Sequence, residues 1–288
     1  MQTMTNLMEQ AWAVRAANWP SRITFDYPSQ TLPVSVTGTA CALNCAHCGS
    51  HYLRHMVPIQ EASSDRRLDG ASSLLISGGC DLDGRVPVMS HLPAIASLRS
   101  GRRLNWHVGL LDDAELEAIR PLVDVVSFDF VGDDDTIREV YGLNQRVSDY
   151  AASYQRLRAS VPVVPHVTVG LHAGQLRGER TALRLLRELG MEMLVFLVFT
   201  PTAGTRYAGC QPPALDQVTE LLAEARVLLP HTTLSLGCMR PGGEYRAQLD
   251  TLAVRLGMNR IVNPVAAAVH AATELGLNIV ESHECCVF

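Results

Sequence analysis

Short apolar or β-branched runs alternate with helix-length segments along almost the whole chain, and no other feature restricts its fold so tightly. The strand candidates are Val34–Thr37, Ser73–Ser77, Leu104–Leu110, Val123–Phe128, Val164–Gly170, Leu194–Phe199, Thr232–Gly237 and Asn259–Val262. Their starts lie about 32 residues apart on average, the length of one strand–helix unit. Helix-like segments fall between them, among them Asp112–Leu122, Ser148–Ser160, Arg177–Leu189, Leu215–Leu229, Tyr245–Leu256 and Val265–Leu275. Gly276 directly follows the last, a usual place for a helix to stop. Alternation throughout implies parallel strands with right-handed crossovers, hence an α/β fold. Eight near-equal units predict a full or nearly full TIM-like (βα) barrel. A single domain is expected over 1–288. Residues 1–30 add a helix (Thr5–Asn18) and a strand (Ile23–Tyr27) before it, and 277–288 form a cysteine-containing tail.

Composition removes several classes of function. With 47% hydrophobic and 18% charged residues over 288 positions, the chain has enough apolar material for a sizeable core. Its net charge of −5 comes without a long basic block, so a phosphate backbone has little to hold and no nucleic-acid partner is expected. The longest apolar stretch, around Met193–Phe199, is far shorter than a membrane span. The opening MQTMTNLMEQ lacks the basic and apolar regions of a signal peptide. A cytoplasmic protein without membrane attachment is the expectation.

Eight cysteines stand at 41, 45, 48, 80, 210, 238, 285 and 286. In a reducing compartment such a set points to metal binding or catalysis rather than disulfides. In a βα fold, chemistry sits on the loops after the strands. Cys41, Cys45 and Cys48 follow the first strand, Cys80 the second, Cys210 the sixth and Cys238 the seventh. A further rising strand at Asn278–Ser282 would carry Cys285 and Cys286 to the same rim, so all eight thiols are expected on one face. For Cys80 and Cys210 the competing reading is a small buried hydrophobe, and for Cys285–Cys286 an exposed dithiol in a frayed tail.

The first group reads Cys41-Ala-Leu-Asn-Cys45-Ala-His-Cys48. Thiolates are the usual ligands of iron–sulfur clusters, and three on one loop would leave one iron of a 4Fe–4S cube open to a substrate or cosubstrate. Structural zinc, with His47 or His51 as fourth ligand, is the competing reading. The spacing Cys-x3-Cys-x2-Cys directly after the first strand resembles the radical S-adenosylmethionine (SAM) superfamily. Many members carry an aromatic residue where this chain has His47.

That resemblance implies a 4Fe–4S cluster on Cys41, Cys45 and Cys48 whose open iron chelates SAM, and a 5′-deoxyadenosyl radical that abstracts hydrogen. It assigns Ser77, Gly78 and Gly79 to the Gly-Gly-Glu position that holds the methionyl amino group. Cys80-Asp81 replace the Glu, leaving backbone carbonyls or Asp81 for the amine. Asp129 matches the ribose-contacting polar position. Gly170 matches the glycine turn after the fifth strand, and Pro201 and Gly204 match the adenine-reading loop after the sixth. Within the superfamily the chain resembles biotin synthase and lipoyl synthase, and most closely the subunits of a two-component lipoyl synthase of archaeal type.

Sulfur insertion into an unactivated C–H bond is therefore the implied outcome, on an octanoyl chain borne by a carrier protein. An auxiliary Fe–S cluster would donate the sulfur, with Cys238, Cys285, Cys286 and Cys80 as candidate ligands and Arg240 as an arginine ligand or carboxylate partner. The implied partners are a low-potential electron donor (flavodoxin or ferredoxin), the octanoylated carrier protein and a second radical SAM subunit. The lipoyl synthase N-terminal cysteine set and C-terminal Ser-containing motif are absent from the sequence. A single-cluster radical enzyme performing methylation, rearrangement or C–C bond formation is one alternative; a non-enzymatic Fe–S or zinc-binding protein is another. Asn105 and His107 share the alternation that faces the barrel mouth, and His166 and His172 flank the fifth strand; a satisfied core histidine is the competing reading for each.

Overall fold

The computed structural model describes residues 4–288, so the first three residues of the expected N-terminal extension lie outside it. Its strands are β1 (Arg22–Asp26), β2 (Thr31–Ser35), β3 (Val57–Pro58), β4 (Ser73–Ser77), β5 (Arg103–Trp106), β6 (Val125–Asp129), β7 (Val163–Val169), β8 (Met193–Val198), β9 (Thr233–Leu236), β10 (Arg260–Val262) and β11 (Asn278–Ser282). All pairings are parallel, and the order across the sheet is β11-β1-β10-β9-β8-β7-β6-β5-β4-β2-β3. The early strand β1 is thus integral to the sheet, lying between β10 and β11.

The sheet does not close. Its ends, β11 and β3, share no ladder, so the architecture is an open, curled α/β sheet and not the full TIM-like barrel that counting units predicts. At one end β3 is two residues long and finishes on Pro58, which has no N–H for a further ladder. At the other, the chain leaves the sheet after Ser282. Gln30 N–H donates to the His283 carbonyl and Cys285 N–H to Thr31 Oγ1, both at 2.8 Å. Those contacts stitch the seam without forming a ladder.

Alternation along each strand separates an outer apolar face from an inner, more polar one. Leu74 and Ile76 of β4 and Val126 and Phe128 of β6 face the surrounding helices and are almost fully buried. Phe128 rests among Phe130, Tyr150 and Tyr154, with ring centroids 6.1–6.4 Å away. Each such side chain contributes roughly 1.5–3 kcal/mol through burial. The helix Glu179–Leu189 buries Ala182, Leu183 and Leu186 on its inner stripe, as a 3.6-residue period requires. On the sheet's inner face Ser127 Oγ donates to Asn105 Oδ1 at 2.9 Å. Among the described residues no helix is long and apolar enough to cross a membrane.

Candidate functional site

The loop after β2 carries the first three cysteines, and its path is fixed by close backbone contacts. Gly38 takes a left-handed φ of 61°, and its carbonyl accepts from Ser35 Oγ at 2.7 Å. Ala42 N–H donates to the Cys80 carbonyl at 2.8 Å, and Gly79 N–H to Thr37 Oγ1 at 2.7 Å. A side chain at Gly79 would collide with this loop, its Cβ lying 2.0 Å from the Ala40 carbonyl oxygen and 2.6 Å from Cys41 Cα. Farther along, Ala46 N–H donates to Val140 O at 2.7 Å, and Ala46 O accepts from Tyr207 N–H at 3.0 Å. The loops after β2, β4, β6 and β8 therefore meet around Cys41, Cys45 and Cys48.

Cys80 joins these three, as the Cys41 Sγ contact with the Cys80 carbonyl at 3.8 Å shows. Burial pushes the Cys45 thiol up to about 12, and neighbouring Cys48, Cys41 and Cys80 add to the effect. Burial pushes Cys80 to about 12 as well, with Cys41, Asp81 and Asp129 contributing. Burial and mutual crowding thus keep these thiols protonated on their own. Among the described residues no three His, Cys, Asp or Glu side chains stand close enough to hold one metal ion.

Beside this loop lies an incompletely satisfied carboxylate. Asp129, the last residue of β6, holds His107 Nε2 at 3.1 Å through Oδ2, while Oδ1 is buried with no hydrogen-bond partner. Burial opposes ionisation of Asp129, but the His107 charge and hydrogen bond outweigh it, assisted by His166 and His47, and hold the carboxyl at about 2. His47 Nδ1 is a second buried atom without a partner, and burial pushes this imidazole down to about 4. Its ring meets Tyr141 edge-on at 5.6 Å. The Asp129 side chain is nevertheless 39% exposed, so it faces the site through atoms other than Oδ1.

The other expected SAM-binding positions are distributed around the same rim. Ser77 Oγ donates to the His107 carbonyl at 2.7 Å. Asp81 Oδ1 accepts from the N–H groups of Asp83 and Arg85 at 2.9 Å each, so it caps its own turn instead of offering that oxygen to an amine. Gly170 has a φ of 72° and gives its N–H to Glu179 Oε1 at 2.7 Å; a Cβ there would lie 2.7 Å from Pro213. Gly204, with φ 80°, faces open space, and the Pro201–Thr205 turn abuts the cysteine loop where Thr205 Cγ2 lies 3.3 Å from a Gly49 Cβ position.

The two tail cysteines are not gathered on that rim. After β11 the tail turns into the interior from the end at which strands begin. Glu284 binds Ser72 Oγ at 2.5 Å and pairs with Arg103, whose guanidinium lies 4.1 Å over the Phe288 ring. Cys286 packs with Val125, Val164, Val195 and Val262. Cys285 Sγ receives Asn105 Nδ2–H at 3.6 Å, and this donor, the Cys286 thiol and the Val287 N–H lower its pKa, with the Cys286 thiol contributing most. Cys238, two residues beyond β9, is within electrostatic reach of both tail cysteines. Cys210 stands apart on a turn closed by Tyr207. Of the eight thiols expected on one face, Cys41, Cys45, Cys48 and Cys80 gather on the rim, Cys285 and Cys286 lie in the tail group, exposed Cys238 is within reach of the tail pair and of Tyr52 beside Cys48, and Cys210 stands apart.

Arg240 does not join the inner group as a ligand. Its Nε and Nη2 bind the two Asp250 carboxylate oxygens at 2.6 and 2.8 Å, and further donors reach the Gly237 and Val262 carbonyls at 2.6 and 2.8 Å. Both side chains are fully buried. Binding iron would require breaking that pair, which leaves an uncompensated buried charge. Asp250 carried no recognisable signal, since an acid within a helix reads as surface until its partner is known.

No family model matches the sequence, and no curated protein matches it either. Solved structures do. Methylornithine synthase (PylB) aligns with a TM-score of 0.70 at 14% identity, covering 97% of this chain and 91% of that one. The FeFe-hydrogenase maturase HydG from Carboxydothermus hydrogenoformans gives 0.69 at 17% identity, over 97% of this chain and 73% of that one. Streptococcus suis SuiB bound to S-adenosylmethionine gives 0.54 at 13%, covering 77% of this chain and about half (52%) of that one. What this likeness establishes is the fold: an α/β architecture shared with these structures over most of this chain.

Proposed function

We propose that the protein is a radical SAM enzyme that holds a 4Fe–4S cluster through Cys41, Cys45 and Cys48. The observation that carries this reading is the packing of the three-cysteine loop onto Gly79 and Cys80, beside the partnerless buried oxygen of Asp129. When bound, the cluster supplies the electron that cleaves SAM to methionine and a 5′-deoxyadenosyl radical able to take hydrogen from an unactivated C–H bond. The chain's own residues bind and orient. Ser77, Gly78 and Gly79 line the methionyl end through their backbone, Asp129 accepts from ribose hydroxyls, and Gly170, Pro201 and Gly204 shape the adenine side.

The finer reading is sulfur insertion of the lipoyl synthase type on an octanoylated carrier protein, fed by flavodoxin or ferredoxin and completed by a second radical SAM subunit. Its support is the inner thiol group: Cys238, Cys285 and Cys286 for an auxiliary Fe–S cluster that would furnish sulfur. A single-cluster enzyme of another outcome is the second reading, favoured by the anchored tail, in which Cys286 already has a packing role. Anaerobic iron and sulfide analysis with EPR separates them. The triple variant Cys238→Ala/Cys285→Ala/Cys286→Ala should fall from about eight irons to about four, with the SAM-perturbed cluster signal kept. About four irons in both proteins would remove sulfur insertion, and no 5′-deoxyadenosine from reduced protein with SAM would remove the radical reading.

A further inference from the structure

Where a Gly-Gly-Glu sequence would place a carboxylate, this chain has Cys80, and the fold brings that thiol to the three-cysteine loop. Each of Cys41, Cys45, Cys48 and Cys80 lies within electrostatic reach of the other three. Cys80 reaches Asp129 as well, so its thiol lies toward the carboxylate read as the ribose contact. Its backbone is pinned on both sides. Gly79 N–H donates to Thr37 Oγ1 at 2.7 Å, the Cys80 carbonyl accepts from Ala42 N–H at 2.8 Å, and Asp81 N–H donates to Arg85 O at 2.8 Å. The same carbonyl lies 3.8 Å from Cys41 Sγ. Only the single χ1 rotor of Cys80 is left to move. The neighbouring carboxylates are largely committed elsewhere: Asp81 Oδ1 accepts from the Asp83 and Arg85 N–H groups at 2.9 Å each, Asp129 Oδ2 holds His107 Nε2 at 3.1 Å, and Asp129 Oδ1 is sealed. Cys80 is a free, half-buried thiol.

We infer that Cys80 is a displaceable fourth ligand: without SAM its thiolate closes the iron that Cys41, Cys45 and Cys48 leave open, and SAM binds there by turning it out. This rests on the reading of the three-cysteine loop as a cluster cradle given above. Ligation releases one proton from Cys80 and forms one Fe–S bond. On exchange that bond breaks, the methionyl amino and carboxylate groups bond the iron, and the released thiolate takes up a proton; no oxidation state changes. A thiolate tethered through one rotor competes at high effective concentration. It therefore shields the iron while the protein is idle, and the apparent affinity for SAM falls by the fraction of protein whose iron is open.

The test compares wild type with Cys80→Ala and Cys80→Ser after anaerobic reconstitution, read by EPR of the reduced cluster, iron retention and equilibrium SAM binding. Without SAM the wild-type and Cys80→Ala spectra should differ; with saturating SAM they should coincide, because Cys80 no longer touches iron. Cys80→Ala should bind SAM about tenfold more tightly, the value for an iron open about one-tenth of the time in the wild type, and in SAM-free protein should lose iron to a chelator about tenfold faster. A gain in affinity does not arise from a damaged fold. Cys80→Ser, which keeps the volume with a weaker ligand, should fall between. Equal or weaker SAM binding by Cys80→Ala, coincident SAM-free spectra, or spectra that differ equally with and without SAM would overturn the inference. Loss of about four irons from Cys80→Ala with the SAM-perturbed signal intact would assign Cys80 to an auxiliary cluster and overturn it too. A Cys41→Ala protein that keeps its iron and SAM-perturbed signal would instead overturn the reading of the three-cysteine loop.

Discussion

Gly79→Ala tests the packing on which the candidate site depends. The added Cβ would lie 2.0 Å from the Ala40 carbonyl oxygen and 2.6 Å from both Cα and Cβ of Cys41, whereas real Cβ contacts essentially never fall below 3.0 Å. These are backbone and near-backbone atoms, so no side-chain rotation relieves the clash. The two loops must part by about 1 Å, which strains the Ala42–Cys80 and Gly79–Thr37 hydrogen bonds of 2.8 and 2.7 Å. Overpacking of this kind costs about 1–3 kcal/mol, or roughly 2–12 °C in melting temperature for a domain of this size. The functional effect should be larger than the stability effect, because Cys41 moves relative to Cys45 and Cys48. A 1 Å misplacement of reacting groups is worth about a hundredfold in rate. The assay combines calorimetry of the metal-free chain with iron content and the SAM-perturbed EPR signal after reconstitution. A Gly79→Ala protein that melts normally and binds iron and SAM as the wild type does would refute the close approach and the assignment of this loop as the cluster cradle.

Three further outcomes follow from the same geometry. Asp250→Ala should destabilise the protein by about 3–5 kcal/mol by stranding the buried Arg240 guanidinium, whereas joint replacement of both by packed apolar residues should restore much of the loss; calorimetry of the three proteins decides this. The Asp129–His107 pair should stabilise the metal-free fold most between about pH 4 and 6.5. Asp129, held at about 2, contributes above its unfolded value of about 3.9 and loses this as pH falls toward 2; His107, shifted up, contributes below about 6.5 and loses this as pH rises through its folded value. A urea midpoint difference between Asp129→Asn and wild type that does not vary with pH would refute that pairing. Glu284→Ala with Phe288→Ala should loosen the tail by about 1 kcal/mol, making the buried Cys286 react roughly fivefold faster with a thiol reagent; an unchanged rate would mean that the tail is held elsewhere.

How much of this was legible beforehand depends on the range over which each feature is determined. Periodicity located strands such as Ser73–Ser77 and helices such as Val147–Ser160 to within a few residues, because alternation and the 3.6-residue period are local consequences of backbone geometry. The same locality placed Cys41, Cys45 and Cys48 on one loop at a strand end and put Asn105 and His107 on the interior face. Sheet closure was not legible. It depends on whether β3 and β11, 221 residues apart at their first positions, share a ladder, and neither strand's own residues state its neighbour. The tail shows the same limit: a rising β11 was readable, but its turn into the interior is decided by Thr31, Ser72 and Arg103 at the starts of strands far away in the chain. Arg240 looked like a free ligand until the fold brought Asp250 to it, and Asp129, singled out at its strand end by resemblance, gave no sign in the sequence of its pairing with His107. Local backbone preference therefore determines which residues form each element and which thiols share a loop. Tertiary structure alone determines which polar groups find partners, because burial and pairing are properties of neighbours that the chain brings together only by folding.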